Sequence, residues 1–494
     1  MKAYQALKIL NKNPVDYNFK DFDLRGLSLD SRTVSTEYCF VAINGNNSDG
    51  RNFIQAAIDK GARLIVYEAG SKGFENSFSS AESVIFIEVE NARISLGKLA
   101  AEYFGNPSDK LNSIGITGTN GKTTISYLIE HILRINGINS GIIGTIQYKI
   151  SDHIVPAINT TPDAIKIQHL MYHMVDHDLT HNIMEVSSHA LDQFRVQGIR
   201  FKTAIFTNLT HDHLDYHKSS EQYFMVKSIL FSGLTATANA IINSDDLYGK
   251  KLIEMTKAKI ITYAINDSDA MLRAEDIVLD LDKTSFILKY GKARYNIETN
   301  LIGRYNIYNL LAAIAASMVE GIAIEKIVDS IKAIDQVRGR LERVENEKGF
   351  KIFIDYAHTD DALKNVLSTL KELKPNKIIT VFGCGGDRDK KKRSLMGNIA
   401  SRFSDWVIIA NDNPRSEDPL TIIEQIKNGF SEDFTAYKII PERDKAIQQA
   451  CSLAEKRDFV LIAGKGHETT QVFKHKTIEF DDKKIVLKFL AENG

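Results

Sequence analysis

The sequence predicts three α/β domains, the second and third each built on a mainly parallel sheet, and three observations carry that reading. The 494 residues exceed what one hydrophobic core serves. From residue 109 onward, short apolar runs alternate with longer stretches of helical spacing, the pattern of strands joined by crossover helices. The apolar runs of the last two regions end in polar, often glycine-containing loops, and in open α/β sheets that edge is where ligands bind.

Residues 1–108 form the small N-terminal α/β region. They mix strand-like runs (CFVAI at 39–43, RLIVYE at 63–68, SVIFIEV at 83–89) with helical stretches, closing on the helix ISLGKLAAEYFG. The segment GNPSDKLN reads as a linker. Residues 109–336 carry the strands SIGIT, HNIMEVSS, TAIFTNL, NAIINS and KIITYAI, then hairpins over 275–300 and the helix IYNLLAAIAASMVEG. Such runs, apolar almost throughout, suit a parallel sheet covered on both faces. The pattern restarts near Gln336–Glu345, and residues 337–494 repeat the strand-then-loop theme in FKIFIDYAH, KIITVFGCGGDRD, WVIIANDNPR and FVLIAGKGHE, a Rossmann-like arrangement. There is no fixed-period repeat.

Lysine plus arginine number 62 against 63 aspartate plus glutamate, so no global field recruits nucleic acid or an anionic membrane. The basic run Lys390–Arg393 lacks interleaved aromatics and reads as a solvated loop face or a wall near nucleotide phosphates. No apolar stretch approaches the ~18 residues that span a bilayer, and MKAYQALKILNKN lacks the core of a signal peptide, so a cytoplasmic protein is expected. Cys39, Cys384 and Cys451 stand in no metal-ligand spacing and are expected as buried thiols of a reducing compartment.

The decapeptide GITGTNGKTT at 115–124 is the strongest chemical signal. Gly118 and Gly121 open backbone torsions closed to other residues, so that Gly118, Thr119, Asn120, Gly121 and Thr124 can wrap a phosphate with their amides. Lys122 adds a point charge for the outer phosphates and Thr123 a hydroxyl for magnesium. The run TTISYLIEHIL places the turn at a helix N-terminus, where the dipole favours anions, so the central sheet is P-loop ATPase-like. A strict G-x-x-x-x-G-K-[ST] pattern would need glycine where Ile116 stands; the turn is a one-residue-longer variant.

Glu185 ends the run HNIMEVSS and is sited either to hold magnesium, which prefers oxygen ligands, or to make a strand-end salt bridge or cap. The segment TNLTHDHLDYH crowds three histidines and two aspartates into His211–His217 but fits no usual zinc spacing. A second magnesium position or a phosphate-binding wall suits it better, with His213 as contributor. Lys227 by itself reads as a solvent-facing lysine.

Together these residues resemble the Mur ligase family, cytosolic enzymes that build the peptide stem of the bacterial cell-wall precursor, and most closely its MurE type. The resemblance runs over essentially the whole chain, through LDSR at 29–32, TGTNGKTT, NTTPD at 159–163, EVSSHAL at 185–191, TNLTHDHLDYH, GRYNIYN at 303–309, GRLE at 339–342, DYAHT at 355–359, GCGGDRD at 383–389, DNPR at 412–415 and GKGHE at 464–468. The longer phosphate turn is itself a family trait. The resemblance implies three domains (1–108 for the UDP-substrate, 109–336 for ATP, 337–494 for the amino acid) and ATP as co-substrate with Mg2+; a monomer is the default expectation. It implies ligation of an amine to the side-chain carboxylate of the D-glutamate in UDP-N-acetylmuramoyl-L-alanyl-D-glutamate, through an acyl phosphate.

By motif position, the resemblance assigns Lys122, Glu185, His213 and Lys227 to catalysis, with Thr123, Glu185, His213 and Lys227, the last as a carbamate, holding metal. Asn306, Asn309, Arg340, Asp355 and His358 match the positions that hold adenine and ribose. Leu29, Ser31, Asn46, Asn47 and Ser48 match the uridine end of the substrate; Asn159, Thr160, Thr161, Ser187, Gln193 and Arg195 match its muramyl-dipeptide end. Arg388, Asp412, Asn413, Pro414, Arg415, Gly464 and Glu468 match the amino-acid site. There the planar fork of Arg415 suits a carboxylate and Glu468 an ammonium, together reading the far end of meso-diaminopimelate rather than lysine.

Overall fold

The computed structural model describes residues 1–493 except 18, 46, 47, 69–77, 79–82 and 211–213, together with the side chains of 214 and 215. Asn46, Asn47 and His213 therefore lie outside the described residues. The chain divides into two compact units: one of Met1–Thr117, Ile138–Ala204 and Ile229–Ala238, the other of Gly118–Gly137, Ile205–Ser228 and Asn239–Gly494.

In the first unit, β1 (Gly26–Ser28), β2 (Tyr38–Ala42), β3 (Ala62–Glu68) and β4 (Ile85–Val89) form an all-parallel sheet in that order. Alternate residues fill two cores. Cys39, Val41, Leu64, Val66, Ile85 and Ile87 face one, against the helix Ala92–Tyr103; Phe40, Ala42, Ile65 and Tyr67 face the other. Apolar side chains on both faces explain why these strands read as unbroken apolar runs. Asn91 starts the helix by accepting from Ile94 N at 2.9 Å. The linker contains a short turn, Pro107–Asp109, entered through Asn106 at φ 50°.

The same unit holds β5 (Asn112–Thr117), β6 (Ser140–Ile143), β7 (Gln147–Ile150), β8 (His153–Pro156), β9 (His181–Glu185) and β10 (Phe201–Phe206, of which the first four residues belong here), ordered β10-β5-β9-β6-β7-β8. β5, β9 and β6 are parallel, and β6 to β8 form an antiparallel meander. The sequence did not mark that meander, because β8 is exposed throughout and carries no apolar signature. The expected strand 181–188 ends at Glu185. Ser187 turns the chain by accepting from Ala190 N at 3.2 Å, capping the helix Ser188–Asp192.

In the second unit, β11 (Asn239–Asn243), β12 (Lys259–Ala264) and β13 (Leu272–Leu279) are parallel, and β13, β14 (Thr284–Tyr290) and β15 (Ala293–Thr299) make the expected hairpins, with a bulge between Glu275 and Val278. The unit also holds β16 (Glu342–Val344), β17 (Lys351–Asp355), β18 (Ile378–Phe382), β19 (Trp406–Ile409), β20 (Tyr437–Ile439) and β21 (Phe459–Ala463), in the order β16-β17-β21-β18-β19-β20. All these neighbours are parallel except β16 with β17. Phe353, Phe382, Val407, Ile409 and Leu461 pack on one face; Ile352, Ile354, Val381, Ile408 and Ile462 pack on the other. Each such side chain contributes ~1.5–3 kcal/mol on leaving water, which makes this sheet the rigid platform for the loops at its carboxyl edge.

Cys39, Cys384 and Cys451 are free and buried, as the sequence led one to expect, and burial pushes the Cys384 and Cys451 thiols up to about 12. Among the described residues no helix is long and apolar enough to cross a membrane.

Arg443 and Asp482 are both fully buried and joined by two bonds of 2.8 Å, and Arg443 also donates to Ala463 O at 3.0 Å, at the end of β21. Removing one partner strands a buried charge. Asp482→Ala is therefore expected to cost about 3–5 kcal/mol, read as a lower midpoint in chemical denaturation, whereas Asp23→Ala, which breaks the exposed Lys2–Asp23 pair, should leave the midpoint where it is.

Candidate active site

Three groups of predicted residues come together, each inside one unit. The first surrounds Glu185 at the end of β9. In the parallel ladder Ile116 stands beside Glu185, so this carboxylate marks the strand next to the one leading into the phosphate turn. Glu185 is fully buried and accepts from Thr145 N and from Thr145 Oγ1, each at 2.8 Å. A Cβ at Gly144 would lie 2.4 Å from Glu185 Oε1, so a side chain there would displace this carboxylate.

A chain of polar contacts extends from this carboxylate. Thr160 Oγ1 lies 3.0 Å from Thr145 Oγ1, and Thr161 donates to the Glu185 carbonyl at 2.7 Å while accepting from Ser187 N at 3.0 Å. Arg195 donates to Thr161 O at 2.8 Å and to Gln193 Oε1 at 2.8 Å, and Tyr148 holds Asn159 O at 2.7 Å. All six residues matched to the dipeptide end are thus in one neighbourhood. Thr145 and Tyr148 were missed, although Gly144-Thr145 directly after β6 repeats the strand-end signal. In the sheet of β1–β4, Ser31 is buried in the turn that Asp30 caps from Arg32 N at 2.9 Å, Leu29 is 41% exposed, and Ser48 is exposed.

The second group is the phosphate turn. Gly118 has φ 145°, and a Cβ there would fall 1.8 Å from Thr207 Oγ1; Gly121 has φ 91°, with Asn309 Oδ1 only 2.5 Å from its would-be Cβ. Thr119 N donates to Asn208 O at 2.8 Å and Asn120 N to Asn208 Oδ1 at 3.0 Å. This corrects the expectation that all amides of the turn face the anion. Two of them tie the turn to the segment after β10, where the turn passes into the helix Lys122–Ile135.

Lys122 Nζ donates to the carbonyls of Gly118 and Thr119, both at 2.8 Å. Lys227 is not solvent-facing as its lone position suggested: it is 1% exposed, donates to the same Gly118 carbonyl at 3.0 Å and lies over the Tyr223 ring. Its burial follows from tertiary packing, which the sequence of one helix does not report. Arg340 donates to Thr123 Oγ1 at 3.0 Å, and Asp361 accepts from Asn120 Nδ2 and Thr210 Oγ1, each at 2.8 Å. Asn309 donates to Asn306 Oδ1 at 2.9 Å, and Asn306 to Ile302 O at 2.8 Å.

The third group lines a cavity of ≈ 160 Å³ at the carboxyl edge of β17, β18, β19 and β21. Arg388, Asp412, Asn413, Arg415, Gly464 and Glu468 line it together with His358. Pro414 of the same motif does not, but its carbonyl lies 1.9 Å from where a Cβ at Gly386 would sit. Tyr356, Asp360 and Asp389 also line it and were not singled out, and so does Lys392 of the basic run Lys390–Arg393. Asp355, buried beneath, accepts from Leu341 N at 2.5 Å and Ala357 N at 2.7 Å, and burial pushes its carboxyl up to about 6. Arg415 takes φ 52° and donates to Gly386 O at 2.7 Å. Lys465, fully buried, donates to Asn413 Oδ1 at 3.1 Å and Glu468 Oε2 at 2.8 Å, fixing both.

The run Lys390–Arg393 is only partly the solvated face that composition suggested. Lys392 reaches His358 O at 3.0 Å, and Arg393 is fully buried, paired with both oxygens of Glu417 at 2.9 Å and donating to Gly385 O at 3.1 Å. That pair fixes the loop carrying Arg388.

Comparison with known proteins places this geometry. Residues 23–104 match the Mur ligase family catalytic domain, 116–317 the Mur ligase middle domain and 339–466 the Mur ligase glutamate ligase domain. UDP-N-acetylmuramoyl-L-alanyl-D-glutamate--2,6-diaminopimelate ligase of Clostridium tetani is 41% identical over 495 residues, covering 100% of both chains. The protein so named in Aquifex aeolicus is 42% identical, covering 97% of this chain and 96% of its own. A solved structure with the same name superposes with a TM-score of 0.69 at 30% identity, over 99% of this chain and 98% of that one.

Arg393, with Lys390, holds the Glu417 carboxyl down to about 2, against the ordinary ~4.3. A depressed carboxylate stabilises the fold above its unfolded pKa, and that contribution disappears as pH falls from about 4.5 toward about 2. The wild type should therefore lose thermal stability through this window faster than Glu417→Gln, which lacks the titration; parallel melting curves against pH would remove the assignment.

Proposed function

The chain belongs to the Mur ligase family and is an ATP-dependent ligase that adds diaminopimelate to UDP-N-acetylmuramoyl-L-alanyl-D-glutamate in peptidoglycan synthesis, and we propose how its residues divide that work. Residues 1–108 take the uridine end of the substrate, 109–336 the ATP and 337–494 the amino acid. The product is made in the cytoplasm by a monomer, and its amino acid is the meso form.

A carboxylate and an amine do not condense in water at useful rates, so the oxygen must first become a good leaving group. The γ-carboxylate of the D-glutamate attacks the terminal phosphate of ATP, ADP leaves, and the amine of diaminopimelate then displaces phosphate from the acyl phosphate. Lys122 and the first amides of its helix hold the triphosphate tail. Asn306, Asn309, Arg340, Asp355 and His358 hold the nucleoside. Asn159, Thr160, Thr161, Ser187, Gln193 and Arg195 orient the dipeptide end, supported by their shared hydrogen bonds around Glu185. Leu29, Ser31 and Asn46 to Ser48 take the uridine.

Magnesium, when bound, neutralises charge on the transferring phosphoryl group. Thr123 and Glu185 fit it, because each offers oxygen, its preferred ligand; His213 is assigned to a second ion by motif alone. Lys227 fits only as a carbamate, since an ammonium has no lone pair to give. That modification would also turn its present donation to the Gly118 carbonyl into an anion beside it, so the side chain must then reorient.

The observation that carries the amino-acid choice is the mixed charge of the third cavity: Arg388 and Arg415 offer a carboxylate its partners, and Asp412 and Glu468 an ammonium. Lysine has only the ammonium at its far end.

Incubation with ATP, magnesium, UDP-N-acetylmuramoyl-L-alanyl-D-glutamate and either diamino acid should give a product of the mass of the diaminopimelate adduct and little of the lysine one. Arg415→Ala should raise the Michaelis constant for diaminopimelate about 10- to 100-fold, the worth of a charged hydrogen bond, and leave that for ATP within a few-fold; an unchanged value would falsify the assignment. Lys227→Ala should lose most activity and regain part of it with added acetate, and full activity without acetate would exclude the carbamate.

A further inference from the structure

The first unit contains a histidine cluster that the ligase reaction does not use. Four of the 13 histidines recur every fourth residue, at His169, His173, His177 and His181. The helix Ala164–Asp176, with His177 as its C-cap, carries the first three on one face, because residues four apart are neighbours on a helix. His181 departs: it opens β9, and its ring nitrogens lie 2.8 Å from Thr180 Oγ1 and 3.2 Å from Asn112 Nδ2.

At the end of the helix, His173, Asp176 and His177 each bring one ligand atom within 4.8 Å of the others. His177 Nδ1 lies 2.9 Å from the His173 carbonyl, which can only accept, so Nδ1 carries the proton and Nε2 keeps its lone pair. That arrangement, one ring nitrogen fixed by a backbone carbonyl and the other bare, is how proteins orient metal-binding imidazoles. His169 Nε2 lies 3.2 Å from His173 Nε2, and the His153 ring, from β8, stands edge-on with its centroid 5.7 Å from that of His177. The carbonyl end of the helix carries partial negative charge, which favours a cation. Asp176 and His177 are exposed, so an ion can reach them.

We propose that His173, Asp176 and His177 form a binding site for a first-row divalent transition-metal ion, Zn2+ in particular, separate from the magnesium of the ligase reaction. Two imidazoles and one carboxylate make a nitrogen-rich set that suits zinc, whereas magnesium and calcium take oxygen. His153 is the side chain from a second element placed to complete the shell, so the ion would tie the end of this helix to β8.

The test is a Zn2+ titration of chelator-stripped full-length protein in excess MgCl2, in competition with a chromophoric chelator. The wild type should bind one ion, and His173→Ala and His177→Ala should each weaken it about tenfold or more, with Asp176→Asn weakening it less. Far-UV circular dichroism checks that these substitutions leave the fold intact. Absence of Zn2+ binding by the wild type overturns the proposal, as does binding in both histidine variants that is as tight as in the wild type, or binding that survives in them and disappears in His213→Ala.

Discussion

The backbone at Gly118 is the constraint on which the catalytic architecture turns. A side chain at this position would overlap the Thr207 hydroxyl, and its carbonyl receives the ammonium groups of both Lys122 and Lys227. The turn can aim donors at a phosphate only if its own back is held, and the bonds from Thr119 and Asn120 to Asn208, with that from Thr207 Oγ1 to Asn120 O at 2.6 Å, hold it. The amides used for this purpose no longer face outward, so in the proposed binding mode the phosphate is met one step along, at the start of the helix Lys122–Ile135.

The same solution recurs at the other strand ends. Buried polar groups are costly unless paired, and in each neighbourhood the pairing also fixes a functional side chain. Thr145 supplies an amide and a hydroxyl to Glu185; Lys465 bridges Asn413 and Glu468; Glu417 neutralises Arg393 and thereby anchors the loop of Arg388. None of these supporting residues needs to touch substrate. Their work is to hold the side chains proposed for the site, and Lys465 and Glu417 do so beside a sheet whose strands are buried on both faces and hence rigid.

Much of the fold was legible because its strands are covered on both sides and so read as unbroken apolar runs, and because glycine-rich loops interrupt them at one edge. The meander β6–β8 was not, since an exposed strand such as β8 has no apolar pattern to detect. The end of β9 was placed three residues too late because Val186-Ser187-Ser188 continues the strand-like composition while the Ser187 hydroxyl caps a helix. Local propensity does not decide between those two uses of serine.

The sequence by itself determined the family and the three α/β regions, and it supplied the residues proposed for each site, because these depend on local pattern: the order of motifs, the spacing of glycines, a lysine followed by threonines. Only the tertiary structure decided which side chains are buried and who pairs with whom. Lys227 looked solvent-facing and is interior; Arg393 looked like one more basic loop residue and is enclosed by Glu417 and Gln425. The reason is physical. Burial and pairing are set by which distant segments pack against a residue, and a carboxylate 24 positions away from Arg393, or a carbonyl 109 positions away from Lys227, leaves no mark on the neighbouring sequence.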